Sequence, residues 1–150
     1  EPLRVHTSMG SGERQAKVAE LLRLVNLNPV TATRYPRELS GGMKKRVSLA
    51  RAIAIEPEII FYDEPSSGLD PIMTGKIDEL IIHTQKTLQV TSVVVTHDMA
   101  SACRIADRIA MIYEGSLIAV DTVENFKAIK DERVQAFFHS LRTVKEEQRI

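Results

Sequence analysis

The sequence predicts an α/β fold with a largely parallel sheet. Two apolar segments rich in strand-forming residues, EIIFYD at 58–63 and VTSVVVT at 90–96, alternate with segments whose apolar residues recur at helical spacing. The chain has 150 residues, of which 43% are hydrophobic and 27% charged, and this length suffices for one ordinary domain with its own core. Both strand segments are mainly apolar, so we predict that they are buried.

Helical segments precede and separate these strands. Residues 13–25 follow Ser11, the predicted N-cap, and residues 42–55 begin at the second glycine of a pair. A third helix is predicted to begin at Pro71, with Asp70 as its cap. The residues that we predict to face inward from these three helices are Val18, Leu21, Leu22, Val25, Met43, Val47, Ala50, Ala54, Ile77, Leu80, Ile81 and Leu88.

The last third of the chain predicts a hairpin between helices. Asp98 is the predicted cap of a short helix, and RIAMIYEGSLIAVD at 108–121 predicts a β-hairpin with Glu114 and Gly115 in its turn. Two helices follow, and the last of them, from about Asp131, carries an apolar face that favours core packing, with a contact between subunits as the alternative. That face consists of Val134, Phe137, Phe138, Leu141 and Val144.

The composition argues against several classes of protein. Twenty Lys and Arg residues balance twenty Asp and Glu residues, so no general electrostatic attraction to nucleic acid or to an anionic membrane is expected. The one cysteine, Cys103, excludes an internal disulfide framework. No apolar run approaches the ~20 residues that span a bilayer, and we therefore expect any membrane association to come through a partner.

Polar residues follow both predicted strands at the point where each ends. Asp63 and Glu64 follow the first, and Thr96, His97 and Asp98 follow the second. Ligands of open α/β sheets bind at the carboxyl ends of the strands. There, a carboxylate can hold Mg²⁺, a second can activate water, and a histidine can donate a hydrogen bond to a phosphate oxygen. Helix caps or a solvated acidic pair are the alternative interpretation.

A second candidate phosphate site lies at Ser40, Gly41 and Gly42, at the start of a predicted helix. Unpaired amide groups and the helix dipole favour an anion there, and glycine allows a phosphate to approach the backbone. The alternative is a plain N-cap followed by a solvated basic face, residues 44–46.

Four segments together resemble the motifs of ABC transporter ATPases. LSGGM at 39–43 is similar to their signature motif, IIFYDEP at 59–65 to their Walker B motif, SGLDP at 67–71 to their D-loop, and VVVTHD at 93–98 to their switch-histidine segment. The resemblance implies the C-terminal part of a P-loop NTPase core of RecA-like fold, with the ABC helical subdomain. It implies a helical subdomain over 1–56, the second half of the catalytic core over 57–120 and a helical tail over 121–150.

The same resemblance implies roles for individual residues and the cofactors ATP and Mg²⁺. Asp63 would position Mg²⁺, Glu64 would polarise the attacking water, and His97 would contact the γ-phosphate. Asp70 would lie at the interface of a homodimer and couple its two sites. The signature residues Ser40, Gly41 and Gly42 would contact ATP held mainly by the second subunit.

Within this family the chain most resembles the ATPases of Mla-type phospholipid transporters, because of Met43, Ile72 and RVQAFF at 133–138. The implied partners are an MlaE-like permease and an MCE-type lipid-binding protein, and the implied location is the cytoplasmic face of the inner membrane. Asp121 departs from the pattern, which has a glycine there. The alternatives are another ABC importer or exporter, a non-transport ABC protein acting on DNA or ribosomes, and a non-enzymatic regulatory module.

The phosphate-binding loop G-x-x-x-x-G-K-[ST] does not occur in these 150 residues. In the family it precedes the signature motif, so we expect the chain to be the C-terminal portion of a longer protein and inactive alone. We also expect an incomplete sheet with exposed apolar surface.

Overall fold

The computed structural model describes residues 2–138. The chain divides into two compact units, the first ending at Val95 and the second beginning at Thr96. The subdomain boundaries after residues 56 and 120 stay predictions.

The first unit combines a helical segment with a two-stranded parallel sheet, as predicted. Its helices are α1 (Pro2–His6), α2 (Ser11–Leu24), α3 (Gly41–Ala52) and α4 (Pro71–Leu88), and its strands are β1 (Ile59–Asp63) and β2 (Thr91–Val95). Three short 3₁₀ segments, Pro29–Thr33, Pro36–Glu38 and Ile53–Ile55, complete it.

The start of α2 differs by one residue from the prediction. Gly10, and not Ser11, is the N-cap, because the Gly10 amide donates to Glu13 Oε2 at 2.6 Å and the Gly10 carbonyl accepts from the Arg14 amide at 3.0 Å. The Glu13 carboxylate thus satisfies an amide at the helix start, and no hydroxyl is needed there.

The helices of the first unit bury a stripe close to the predicted one. Leu21, Leu22 and Val25 are buried at the end of α2. In α3 the predicted Met43 and Val47 are only half-buried, whereas Leu49 and Ala50 are buried. Burial continues through Ile53 and Ala54, because the 3₁₀ segment after α3 turns both side chains into the core.

One face of the sheet is buried and the other is open, which corrects the prediction of two fully buried strands. β1 and β2 pair in parallel, with Phe61 opposite Val93 and Asp63 opposite Val95. Ile60 and Tyr62 are buried, whereas Phe61 is 75% exposed and Val95 is 58% exposed. No element of the described residues up to Val95 covers the outer face. The expected incomplete sheet is therefore confirmed.

The second unit contains helix α5 (Met99–Ile105), the hairpin β3 (Arg108–Tyr113) and β4 (Ser116–Thr122), and helix α6 (Val123–Ala128). Residues 132–138 form a further helix, α7. The predicted turn is confirmed, because Glu114 and Gly115 have φ angles of 47° and 75°, as a type I′ hairpin requires.

The core of the second unit lies between the hairpin and its helices. It consists of Met99, Ile109, Met111, Phe126 and Val134. Phe138 of α7 packs edge-on against Phe126, with ring centroids 6.2 Å apart. Core packing of the last helix is therefore confirmed for Val134 and Phe138, whereas the predicted Phe137 is 39% exposed. The predicted Leu141 and Val144 lie outside the described residues.

Asp121 has a structural reason to stand where the family pattern has a glycine. Its carboxylate accepts hydrogen bonds from the side chain of Asn125 at 3.0 Å and from the Thr122 amide at 2.7 Å. These bonds lower the pKa of Asp121. Since Asp121 does not have a positive φ, this position has no need of glycine.

Among residues 2–138, no helix is both long enough and apolar enough to cross a membrane.

Leu80 and Ile72 offer a matched test of the core of the first unit. Leu80 is 2% exposed and Ile72 is 73% exposed, both on α4. We expect Leu80→Ala to lower the free energy of unfolding by about 2–5 kcal/mol, because it leaves a cavity, and Ile72→Ala to change it by less than about 0.5 kcal/mol. Urea unfolding measures both, and equal losses would contradict the assigned orientation of α4.

Candidate functional site

The backbone of Glu64 is held from both sides where β1 ends. Asp63 is exposed and Glu64 is half-buried. The Glu64 amide donates to the carbonyl of Val95, the last residue of β2, at 2.9 Å. Its carbonyl accepts from the Ser67 amide at 3.2 Å and from Lys45 Nζ at 3.0 Å. With φ of +44°, Glu64 is a left-handed non-glycine residue, and such strain is frequent at functional sites.

The segment from Glu64 to α4 is a tight turn that ends in a helix cap. Gly68 has φ of +76°, which favours glycine. Oδ1 of Asp70 accepts from the amides of Ile72 and Met73, both at 3.0 Å. The predicted cap is therefore confirmed, and its role in coupling two subunits stays a prediction.

The predicted signature residues form the start of α3. Ser40 is the N-cap, with its Oγ accepting from the Met43 amide at 3.3 Å. Because this bond uses a lone pair of the hydroxyl, its proton remains able to point at an anion. The first amides of the helix have no intrahelical acceptor, and they stand beside that hydroxyl.

The two glycines have different surroundings. A methyl group at Gly42 would lie 2.8 Å from Cε of Met73, whereas one at Gly41 would meet only Leu69, at 4.0 Å. Gly42 is buried and Gly41 is exposed. Gly42 thus allows the start of α3 to pack against the first turn of α4, and Gly41 leaves room for a ligand. The packing also brings the signature segment beside the D-loop turn within one unit.

Burial raises the pKa of the Tyr62 hydroxyl on the inner face of β1.

A cavity of about 380 Å³ adjoins this strand between α3 and α4, and Lys45, Asp63 and Pro65 contribute to its wall. The rest of its lining is largely apolar, so the charged groups of this region gather near the end of β1.

His97 belongs to the second unit, whereas the other predicted site residues belong to the first. His97 lies between two residues of a helix-capping segment. The Asp98 amide donates to Thr96 Oγ at 3.0 Å, and the Asp98 carboxylate accepts from the amides of Ala100 and Ser101 at 2.9 and 3.1 Å. The predicted cap at Asp98 is confirmed, and contact of His97 with a phosphate stays a prediction.

Asp63 is suited to Mg²⁺ in combination with a nucleotide. Within residues 2–138 no group of three or more His, Cys, Asp or Glu side chains is arranged around a common metal position. Mg²⁺ usually keeps several waters and takes only one or two carboxylates plus phosphate oxygens. A single exposed carboxylate at the strand end fits that requirement.

Sequence reasoning missed Lys45, which it considered only as part of a solvated basic face in the alternative interpretation. Lys45 is half-buried and reaches Glu64, 19 positions along the chain. No motif marked this contact, because it depends on how α3 packs beside β1.

A family model described as "ABC transporter" matches residues 2–67, which include the signature segment and the Walker B strand. Over these residues the chain is similar to the ATP-binding domain of ABC transporters. The predicted fold class, part of a P-loop ABC ATPase core with an incomplete sheet, is confirmed. ATP with Mg²⁺, the predicted cofactors, are those of this family.

Curated relatives of the chain are named as transport or import ATP-binding proteins. It is 41% identical over 133 residues to the choline transport ATP-binding protein OpuBA of Bacillus subtilis, covering 88% of this chain and 35% of that protein. It is 41% identical over 120 residues to the glutathione import ATP-binding protein GsiA of Escherichia coli O157:H7, covering 80% of this chain and 19% of that protein. The chain thus spans about a third or less of the curated relatives.

Solved ABC cassettes share its fold. The dimeric structure of MJ0796, a bacterial ABC transporter cassette, is 33% identical with a TM-score of 0.68, covering 80% of this chain and 51% of that one. A post-hydrolysis dimer of MJ0796 bound to ADP and Pi is 32% identical, again with a TM-score of 0.68 and the same coverage.

The cap at Asp70 can be tested apart from any catalytic role. We expect Asp70→Ala to lower the free energy of unfolding by about 0.5–2 kcal/mol, because two amides of α4 lose their acceptor. Asp70→Asn should cost clearly less, since the asparagine carbonyl can still cap. Urea unfolding of the two variants measures this difference, and an unchanged stability in Asp70→Ala would refute the capping role.

Proposed function

We propose that this chain is part of the ATP-hydrolysing subunit of an ABC transporter. The observation that carries the proposal is the pair Asp63 and Glu64 at the end of a parallel strand, with the backbone of Glu64 fixed by three hydrogen bonds. The family match over residues 2–67 supports it. So does the similarity to a cassette bound to ADP and Pi.

The proposed chemistry is phosphoryl transfer from ATP to water. Mg²⁺ held near Asp63 would neutralise charge on the phosphates. Glu64 would accept a hydrogen bond from the attacking water and draw off its proton, and its fixed backbone limits the positions that its carboxylate can take. His97 would donate a hydrogen bond to an oxygen of the γ-phosphate.

The signature residues act in trans in this proposal. Ser40, Gly41 and Gly42 are at the start of α3, whose amides favour an anion. The resemblance to ABC ATPases implies that the phosphate that these residues contact would be bound mainly by a second subunit. The homodimer is supported by the dimeric cassette, which is 33% identical. Asp70, at the head of α4, would connect the two sites.

Hydrolysis should require a phosphate-binding loop in addition to these residues. We expect the 150-residue chain alone to bind ATP·Mg²⁺ very weakly and to hydrolyse none measurably. A protein that joins this chain to an upstream segment with G-x-x-x-x-G-K-[ST] should hydrolyse ATP. Its Glu64→Gln variant should lose at least about 100-fold in kcat, the contribution typical of a general base, and still bind nucleotide.

Phosphate release and nucleotide binding are measured for the isolated chain, the joined protein and its Glu64→Gln variant. These measurements distinguish an ATPase subunit from a non-enzymatic regulatory module. Glu58→Gln, at the opposite end of β1, is the matched control and should keep full activity. Turnover by the isolated chain would contradict the proposal. An inactive joined protein that still dimerises would favour the regulatory module instead.

For the cargo, we propose phospholipid, on the resemblance carried by Met43, Ile72 and the segment 133–138. The partners would be an MlaE-like permease and an MCE-type lipid-binding protein, with the ATPase at the cytoplasmic face of the inner membrane. The second candidate is import of a small solute, because relatives 41% identical are named for choline transport and glutathione import.

Stimulation of hydrolysis separates the two cargo classes. The ATPase is assembled with its permease in phospholipid vesicles. We expect its rate of hydrolysis to rise when a lipid-loaded MCE-type protein is added and to stay unchanged when choline or glutathione is added. The Glu64→Gln variant gives the background rate of ATP hydrolysis in the same vesicles. Stimulation by a solute and its binding protein, without any response to lipid, would reject the phospholipid proposal in favour of solute import.

A further inference from the structure

Lys45 makes a contact that the functions proposed so far do not use. It lies on α3, five positions after the cap residue Ser40, and its ammonium donates to the Glu64 carbonyl at 3.0 Å. The neighbouring Lys44 is exposed, and its side chain makes no hydrogen bond or ion pair within residues 2–138. Of these two adjacent lysines, Lys45 is therefore the one that binds the end of β1.

The contact matters because of the conformation of Glu64. A left-handed backbone is unfavourable for a non-glycine residue, so neighbouring bonds must compensate for it. The Glu64 amide is held by Val95, and the two lone pairs of its carbonyl accept from Ser67 and Lys45. The bond from Lys45 carries a full charge, which makes it stronger than a neutral one.

These three bonds fix the peptide planes on both sides of the Glu64 Cα. Only the side-chain torsions then remain to place the carboxylate. The base of Lys45 is itself well anchored, because α3 begins at a capped Ser40 and packs through Gly42 against Met73. The Lys45 ammonium thus joins one fixed element, the start of α3, to another, the end of β1.

We propose that Lys45 is a positioning residue for Glu64, holding its backbone so that the carboxylate stands where water is activated. The helix that presents Ser40, Gly41 and Gly42 then also orients the glutamate of its own subunit. This inference rests on the proposed ATPase function for its kinetic consequence, but the contact itself does not depend on nucleotide.

Amide hydrogen exchange of the 150-residue chain tests the contact without ATP. In Lys45→Met, which keeps an unbranched apolar stem without the donor, the amides of Glu64 and Ser67 should exchange about tenfold faster than in the matched control Lys44→Met. Lys45→Arg, which keeps a cationic donor, should restore slow exchange. A general loss of stability would instead accelerate the buried amides of α4 to the same extent.

Steady-state kinetics of the joined protein test the consequence. Lys45→Met should lower kcat about tenfold and change KM for ATP less than about twofold, because a misplaced base affects the chemical step more than binding. Lys45→Arg should recover most of kcat, and Lys44→Met should keep it.

The outcomes distinguish this proposal from the function on which it rests. Equal exchange in Lys45→Met and Lys44→Met, or an unchanged kcat in Lys45→Met, overturns the positioning role. An inactive joined protein with wild-type sequence overturns the ATPase function instead. In that case the exchange contrast alone decides whether Lys45 holds the Glu64 backbone.

Discussion

The parallel pairing of β1 with β2 is the constraint on which the first unit depends. It continues one step beyond the strands, in the bond from the Glu64 amide to the Val95 carbonyl at 2.9 Å. That bond sets where β1 stops being a strand and fixes the direction in which the chain turns towards α4. The pairing also divides the sheet into a buried face, with Ile60 and Tyr62, and an open face that carries Phe61.

The start of α3 joins three parts of the candidate site. Ser40 caps the helix, Gly42 permits close contact with Met73 at the head of α4, and Lys45 reaches Glu64. Gly42 is therefore also a packing feature, because a methyl group there would lie 2.8 Å from Cε of Met73, and the end of that flexible side chain would have to move. A displacement of α3 would disturb the bond from Lys45 to Glu64, so the proposed anion contact and the proposed carboxylate placement depend on the same helix.

Several local features were predictable from the sequence, although the N-cap of α2 is Gly10 and not Ser11. Contacts between distant parts of the chain were harder to predict. The caps at Asp70 and Asp98 and the turn at Glu114 depend on hydrogen bonds and φ angles within a few residues, and all were predicted. The prediction that both strands are buried was wrong in part, because the exposure of Phe61 depends on which elements cover the sheet. The contact of Lys45 with Glu64 arises only from tertiary packing, and the place of His97 relative to the carboxylates stays a prediction for the same reason.

The tight turn at Glu114 and Gly115 has a consequence for the order in which the chain folds. Isolated hairpins of this kind close in about 1–10 μs, and here the two strands follow each other directly with the turn already favouring their register. Pairing of β1 with β2 instead requires the 18 residues of α4, which connect the two strands, to fold between them. We therefore expect the hairpin to form early in the folding of its unit, and the end of β1 with Asp63 and Glu64 to form late.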